Sequence, residues 1–66
     1  MKIILNGQTK ECEDSISLKN IVDQFCKEAR LVIAEVNGTI IKSRQWNEKI
    51  LSPGDVVELV NFVGGG

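Results

Sequence analysis

The sequence predicts an α+β fold in which a single helix covers one face of a β-sheet. Three observations carry that reading. Two Asn-Gly pairs, Asn6-Gly7 and Asn37-Gly38, each separate two short segments that read as strands; one apolar stripe starting at Leu18 follows helical spacing; and an apolar run from Val56 to Val63 ends in Gly64-Gly65-Gly66. With 66 residues there is room for one domain, close to the lower size at which a single core holds without staples.

Lys2 to Leu5 and Gln8 to Glu13 flank the first Asn-Gly pair. That dipeptide favours a two-residue type I′ turn, because both central positions need φ > 0. A two-residue loop fixes the register, setting Leu5 opposite Gln8, Ile4 opposite Thr9, Ile3 opposite Lys10, Lys2 opposite Glu11 and Met1 opposite Cys12. The Lys2–Glu11 pair marks the solvated face. Met1, Ile3, Leu5 and Cys12 then point into the core, Lys10 snorkels from the same side, and Ile4 is left on the outer face.

Ser17 is placed to cap a helix through its hydroxyl. Leu18, Ile21, Val22, Phe25, Cys26 and Ala29 follow at helical spacing as one apolar stripe, with Lys19, Asn20, Asp23, Gln24, Lys27 and Glu28 on the solvated side. Leu31 to Val36 and Thr39 to Ile41 form a second hairpin around Asn37-Gly38. Lys42 to Leu51 reads as a loop with at most one short helical turn, anchored by Trp46, Ile50 and Leu51. Ser52-Pro53-Gly54-Asp55 is a turn into the last strand.

In that strand, alternation sends Val57 and Leu59 towards the helix and Val56, Glu58, Val60 and Phe62 to the opposite face. One helix cannot cover both faces, so the second stays open to water. Ile4, Val60 and Phe62, with Ile33 nearby, are expected to form an apolar strip at the root of the tail, a surface suited to docking a partner. The plain alternative is that Phe62 folds back onto the body.

Composition removes several function classes. Eight Lys and Arg residues are scattered among nine acids, so no basic stripe exists to neutralise phosphates, and nucleic acid is not an expected partner. No run of about 18 apolar residues and no signal peptide is present, which predicts a cytoplasmic protein without membrane attachment. Histidine and tyrosine are absent; without the commonest general base and imidazole ligand, a self-contained enzyme is not expected. Cys12 and Cys26 form no C-x-x-C and have no third ligand. Both are read as small buried apolar side chains.

The tail is the most informative feature. Glycines carry no Cβ, so Gly64, Gly65 and Gly66 can thread a slot too narrow for other residues and bend inside it. From Phe62 the chain reaches about 15 Å when extended, enough to carry a terminal carboxylate into a partner's active site while the body stays outside. A frayed terminus or linker is the bland alternative. The division expected is a folded domain over 1–63 and a flexible tail over 64–66.

Met1-Lys2-Ile3-Ile4-Leu5-Asn6-Gly7, the compact helix Leu18 to Phe25, Val36-Asn37-Gly38, Arg44-Gln45-Trp46, Gly54-Asp55 and the terminal Phe62-Val63-Gly64-Gly65-Gly66 span nearly the whole chain. Together they resemble the thiamine-biosynthesis sulfur carriers of the ThiS family, within the ubiquitin-like β-grasp fold. The resemblance implies a mixed sheet of four to five strands, one covering helix and a monomer when free. It also implies that a ThiF-type adenylyltransferase, using ATP and Mg²⁺ bound in its own site, adenylates the Gly66 carboxylate. Sulfur originating in a cysteine persulfide, from a cysteine desulfurase or another donor, would displace AMP to leave a thiocarboxylate, which thiazole synthase of the ThiG type consumes. On this view the chain holds no cofactor, Gly66 is the covalent acceptor, and Gly64, Gly65, Val63, Phe62, Val60 and Ile4 face the partners. The small subunit of molybdopterin synthase shares the fold and activation chemistry, a ubiquitin-like modifier would form isopeptide bonds instead, and a purely structural module would leave its carboxylate unused.

Overall fold

Both Asn-Gly pairs make the turn their residues demand, with φ of 49° and 82° at Asn6 and Gly7 and of 51° and 85° at Asn37 and Gly38. Each closes a hairpin. A computed structural model describes residues 1–26 and 31–61, and in it the chain runs β1 (Lys2–Leu5), β2 (Gln8–Glu11), α1 (Leu18–Phe25), β3 (Val32–Val36), β4 (Thr39–Ile41) and β5 (Val56–Asn61). A single 3-10 turn, Ser43–Gln45, lies between β4 and β5. The first hairpin has the register anticipated from its loop, from Leu5 opposite Gln8 to Lys2 opposite Glu11. Beyond it, Cys12 N–H donates to the Met1 carbonyl at 2.8 Å, and the Met1 amine donates to the Cys12 carbonyl at 2.7 Å.

The last strand becomes the middle one. The sheet order is β2-β1-β5-β3-β4, with β5 parallel to β1 and antiparallel to β3. Each hairpin has one inner edge of unpaired amides and carbonyls, and β5 satisfies both by entering between them. Its alternation suits the place: Val57 and Leu59 are buried under the helix, whereas Val56, Glu58 and Val60 are exposed.

Ser17 caps α1 as its sequence position indicates, its Oγ accepting from Asn20 N–H at 3.1 Å. The other amides of the first turn are also met: Leu18 N–H donates to Lys49 at 2.8 Å, Lys19 N–H to Trp46 at 3.1 Å and Ile21 N–H to Ser17 at 3.3 Å, all at carbonyl oxygens. No amide is left to hold an anion there. The helix buries Leu18, Ile21 and Val22. Phe25 departs from the anticipated stripe, being 48% exposed. The helix stops there, with Cys26 already extended, so its last side chain lies at the margin of the core; the Lys10 ammonium sits 5.8 Å from the Phe25 ring centroid. Ala29 falls outside the described residues.

Trp46 and Leu51 anchor the long loop, and the indole N–H of Trp46 donates to the Ile41 carbonyl at 2.8 Å. Ile50 is not an anchor. It pairs with Ser17 in an isolated antiparallel bridge, and alternation at that bridge sends Ile50 outward and Leu51 inward.

Candidate docking face and strand exit

The open face of the sheet is where α1 is not. Ile4 of β1 and Val60 of β5 are exposed on it, at 37% and 48%. They do not form the single strip anticipated from alternation. Ile4 lies beside Val56 in the parallel ladder, whereas Val60 lies beside half-buried Ile33 in the antiparallel one. Four residue steps along the strand separate Val56 from Val60, about 13 Å. Between them Glu58 stands directly opposite Glu35, and Glu35 in turn faces exposed Ile40 on β4. Along β5 the face therefore presents two apolar spots on either side of a pair of carboxylates, with Ile40 exposed beyond Glu35. Alternation assigns faces correctly but says nothing of the stagger between strands, which the parallel β1–β5 register sets.

β5 leads directly to the remaining candidate residues. Asn61 is its last described residue, and Phe62, Val63, Gly64, Gly65 and Gly66 lie outside the described residues, as does the anticipated flexible tail. The strand itself is held by two side chains that sequence reasoning treated only as turn formers. Leu59 N–H donates to Asn6 Oδ1 at 2.8 Å and Asn6 Nδ2 donates back to the Leu59 carbonyl at 3.3 Å. At the other end Val56 N–H donates to Asn37 Oδ1 at 2.9 Å, and Asn37 Nδ2 donates to Asp55 Oδ1 at 3.0 Å. The signal available in the sequence was that both turns use Asn, although Asp-Gly makes the same turn.

The two cysteines are free and half-buried, less enclosed than their inward positions suggested, because Cys12 follows the end of β2 and Cys26 caps the helix, both at the margin of the core. Burial pushes the Cys26 thiol above its ordinary value, which disfavours the thiolate that sulfur chemistry requires. The Met1 amine is 3.1 Å from Asp14 Oδ1 and 3.9 Å from Glu11 Oε2. The Asp14 hydrogen bond, outweighing the cost of desolvation, raises its pKa.

Among the described residues no group of three or more His, Cys, Asp or Glu side chains could hold a metal ion, and no helix is long and apolar enough to cross a membrane. A shallow depression of about 280 Å³ lined by Ile41, Gln45, Glu48 and Lys49 lies by the edge strand β4, two strands away from β5. What the described residues offer is a central strand gripped by two asparagine side chains beside an open face.

A five-stranded mixed sheet with one helix, closed by a central last strand, defines the chain as a ubiquitin-like β-grasp protein. The crystal structure of the thiamine biosynthesis protein ThiS from Geobacter metallireducens has the same fold, with a TM-score of 0.86, 25% identity and full coverage of both chains. The chain belongs to the ThiS family, whose pattern it matches over residues 3–66. It is 36% identical over 63 residues to the sulfur carrier protein ThiS of Bacillus subtilis, covering 94% of this chain and 96% of that one. It is also 27% identical over 66 residues to a thiazole synthase from Paramagnetospirillum magneticum, a match that spans all of this chain and 20% of the longer protein.

Proposed function

We propose that the chain is a sulfur carrier of thiamine biosynthesis, a protein substrate and not a catalyst, with the Gly66 carboxylate as its chemical site. The observation that carries this reading is the family match, which runs through the terminal glycines to residue 66. A free carboxylate resists substitution because its charge is delocalised and oxide is a poor leaving group. Activation must come first. A carboxylate oxygen attacks the α-phosphorus of ATP and pyrophosphate leaves; the terminal sulfur of a persulfide then displaces AMP from the acyl adenylate, and a second thiol of the donor system cleaves the resulting acyl disulfide, leaving a thiocarboxylate and a disulfide.

On this reading ATP and Mg²⁺ are bound by a ThiF-type adenylyltransferase, whose site supplies the positioning and the charge stabilisation that the transferring phosphate needs. The body supplies the address through the open face around Ile4, Val56 and Val60, and the glycines admit the carboxylate to the slot. A ThiG-type thiazole synthase is the proposed acceptor of the sulfur. The Paramagnetospirillum magneticum protein supports that pairing, since a thiazole synthase there carries a segment similar to the whole of this chain.

ATP–pyrophosphate exchange with the adenylyltransferase tests the reading. Deleting Gly66 draws the carboxylate back by about 3.5 Å, too far for in-line attack, and exchange is expected to stop. Undiminished exchange by the truncated, folded protein would show that the carboxylate of Gly66 is not the acceptor.

A further inference from the structure

β1 and β5 share two ladder pairs, Ile4 with Val56 and Leu5 with Val57, before β1 turns away at Asn6-Gly7. The Asn6 N–H still donates to the Val57 carbonyl at 2.9 Å; beyond it, among the described residues, the β1-side edge of β5 is met by the Asn6 side chain, which pairs with both the N–H and the carbonyl of Leu59. A primary amide presents a donor and an acceptor side by side, as a peptide group does. Asn6 thus supplies the rung that β1 no longer reaches. Glycine or aspartate in its place would make the same turn, so turn geometry does not explain the amide.

We propose that Asn6 is a positioning residue for sulfur loading. By holding Leu59 in the ladder it fixes the register of the last described rungs of β5, and so the point on the body from which the chain runs on to Gly66. This inference rests on the carrier reading given above. A slip of β5 by one side-chain repeat would move the carboxylate by about 7 Å, whereas attack needs the reacting atoms within about 3.5 Å. Fraying that reached back through Leu59 would lengthen the tether and dilute the carboxylate at the partner's site.

Asn6→Gly separates the grip from the turn, because glycine tolerates the φ of 49° found there. Asn37→Gly is the matched control: it removes the grip at the opposite end of β5, away from the exit. In ATP–pyrophosphate exchange Asn6→Gly is expected to lower kcat about tenfold or more with KM changed less than about threefold, while Asn37→Gly keeps both constants. Hydrogen exchange should quicken at the Leu59, Val60 and Asn61 amides in Asn6→Gly alone. If Asn6→Gly fails to fold, Asn6→Asp keeps the turn and the acceptor but turns an anionic oxygen towards the Leu59 carbonyl, and should show the same loss. An unchanged kcat, an equal fall in both glycine variants, or unaltered amide exchange at the strand exit would each overturn the assignment. Equal exchange by the full and Gly66-deleted chains would instead defeat the carrier reading, leaving amide exchange to decide whether Asn6 holds the exit.

Discussion

Val60 is the residue at which folding and the proposed docking can be tested apart. Its side chain is on the open face, so Val60→Asp is expected to change stability by no more than about 0.5 kcal/mol. Binding to the adenylyltransferase should nonetheless fall sharply, because an apolar contact would have to desolvate an unpaired charge. Titration calorimetry beside a urea melt checks both halves; normal affinity in a folded variant would remove Val60 from the interface. At the chain's start the titration sign is equally definite. The Met1 amine is raised above 8.0 by Asp14, and the Cys26 thiol above 9.0 by burial. In both cases the folded state holds the proton more tightly than the unfolded chain, so stability is full below these values and declines as pH rises through 8.0 and beyond. Urea midpoints should drop across that range, and midpoints constant to about pH 10 would contradict the Asp14 contact.

Among the elements, β5 carries the clearest conflict. Glu58 and Glu35 stand opposite one another on its antiparallel pairing with β3, and like charges in that relation are destabilising. Glu58→Gln should therefore stabilise the domain by up to about 0.5 kcal/mol, with the gain shrinking as salt screens the repulsion in the parent protein. Denaturant melts at low and high ionic strength decide it, and a loss of stability in the variant would mean that the carboxylates are compensated. Helix α1 shows the opposite condition, since cap, loop carbonyls and core side all agree. Its eight residues are too few to hold alone in water, and they stay helical because Leu18, Ile21 and Val22 are buried against the sheet.

At the scale of the whole molecule, the fold serves several chemistries, so the decisive experiment is biological. ThiS-family membership predicts that this chain restores growth without thiazole in a strain lacking its thiamine sulfur carrier. It should not restore molybdenum-cofactor synthesis in a strain lacking the small subunit of molybdopterin synthase, because discrimination must come from the sheet face and Phe62, the terminal glycines being common to both carriers. Rescue in the reverse pattern would move the chain to the other pathway. Failure of both, with isopeptide-linked ladders in lysate, would indicate a protein modifier.

The sequence by itself determined what depends on neighbours along the chain. Asn6-Gly7 and Asn37-Gly38 set both turns and the first hairpin's register; Ser17 set the start of the helix; and the period of two in Val56 to Val60 set which side chains face the core. Its terminal glycines also made the case for a delivered carboxylate. Tertiary structure decided what depends on residues far apart. Placing β5 between the hairpins set the stagger that parts Ile4 from Val60, and brought Glu35 against Glu58. The same placement carried Asn6 to Leu59, 53 residues away, and Asn37 to Val56. Local rules fix a strand's faces and turns, whereas its sideways neighbours follow from which unpaired edges the folded chain must satisfy.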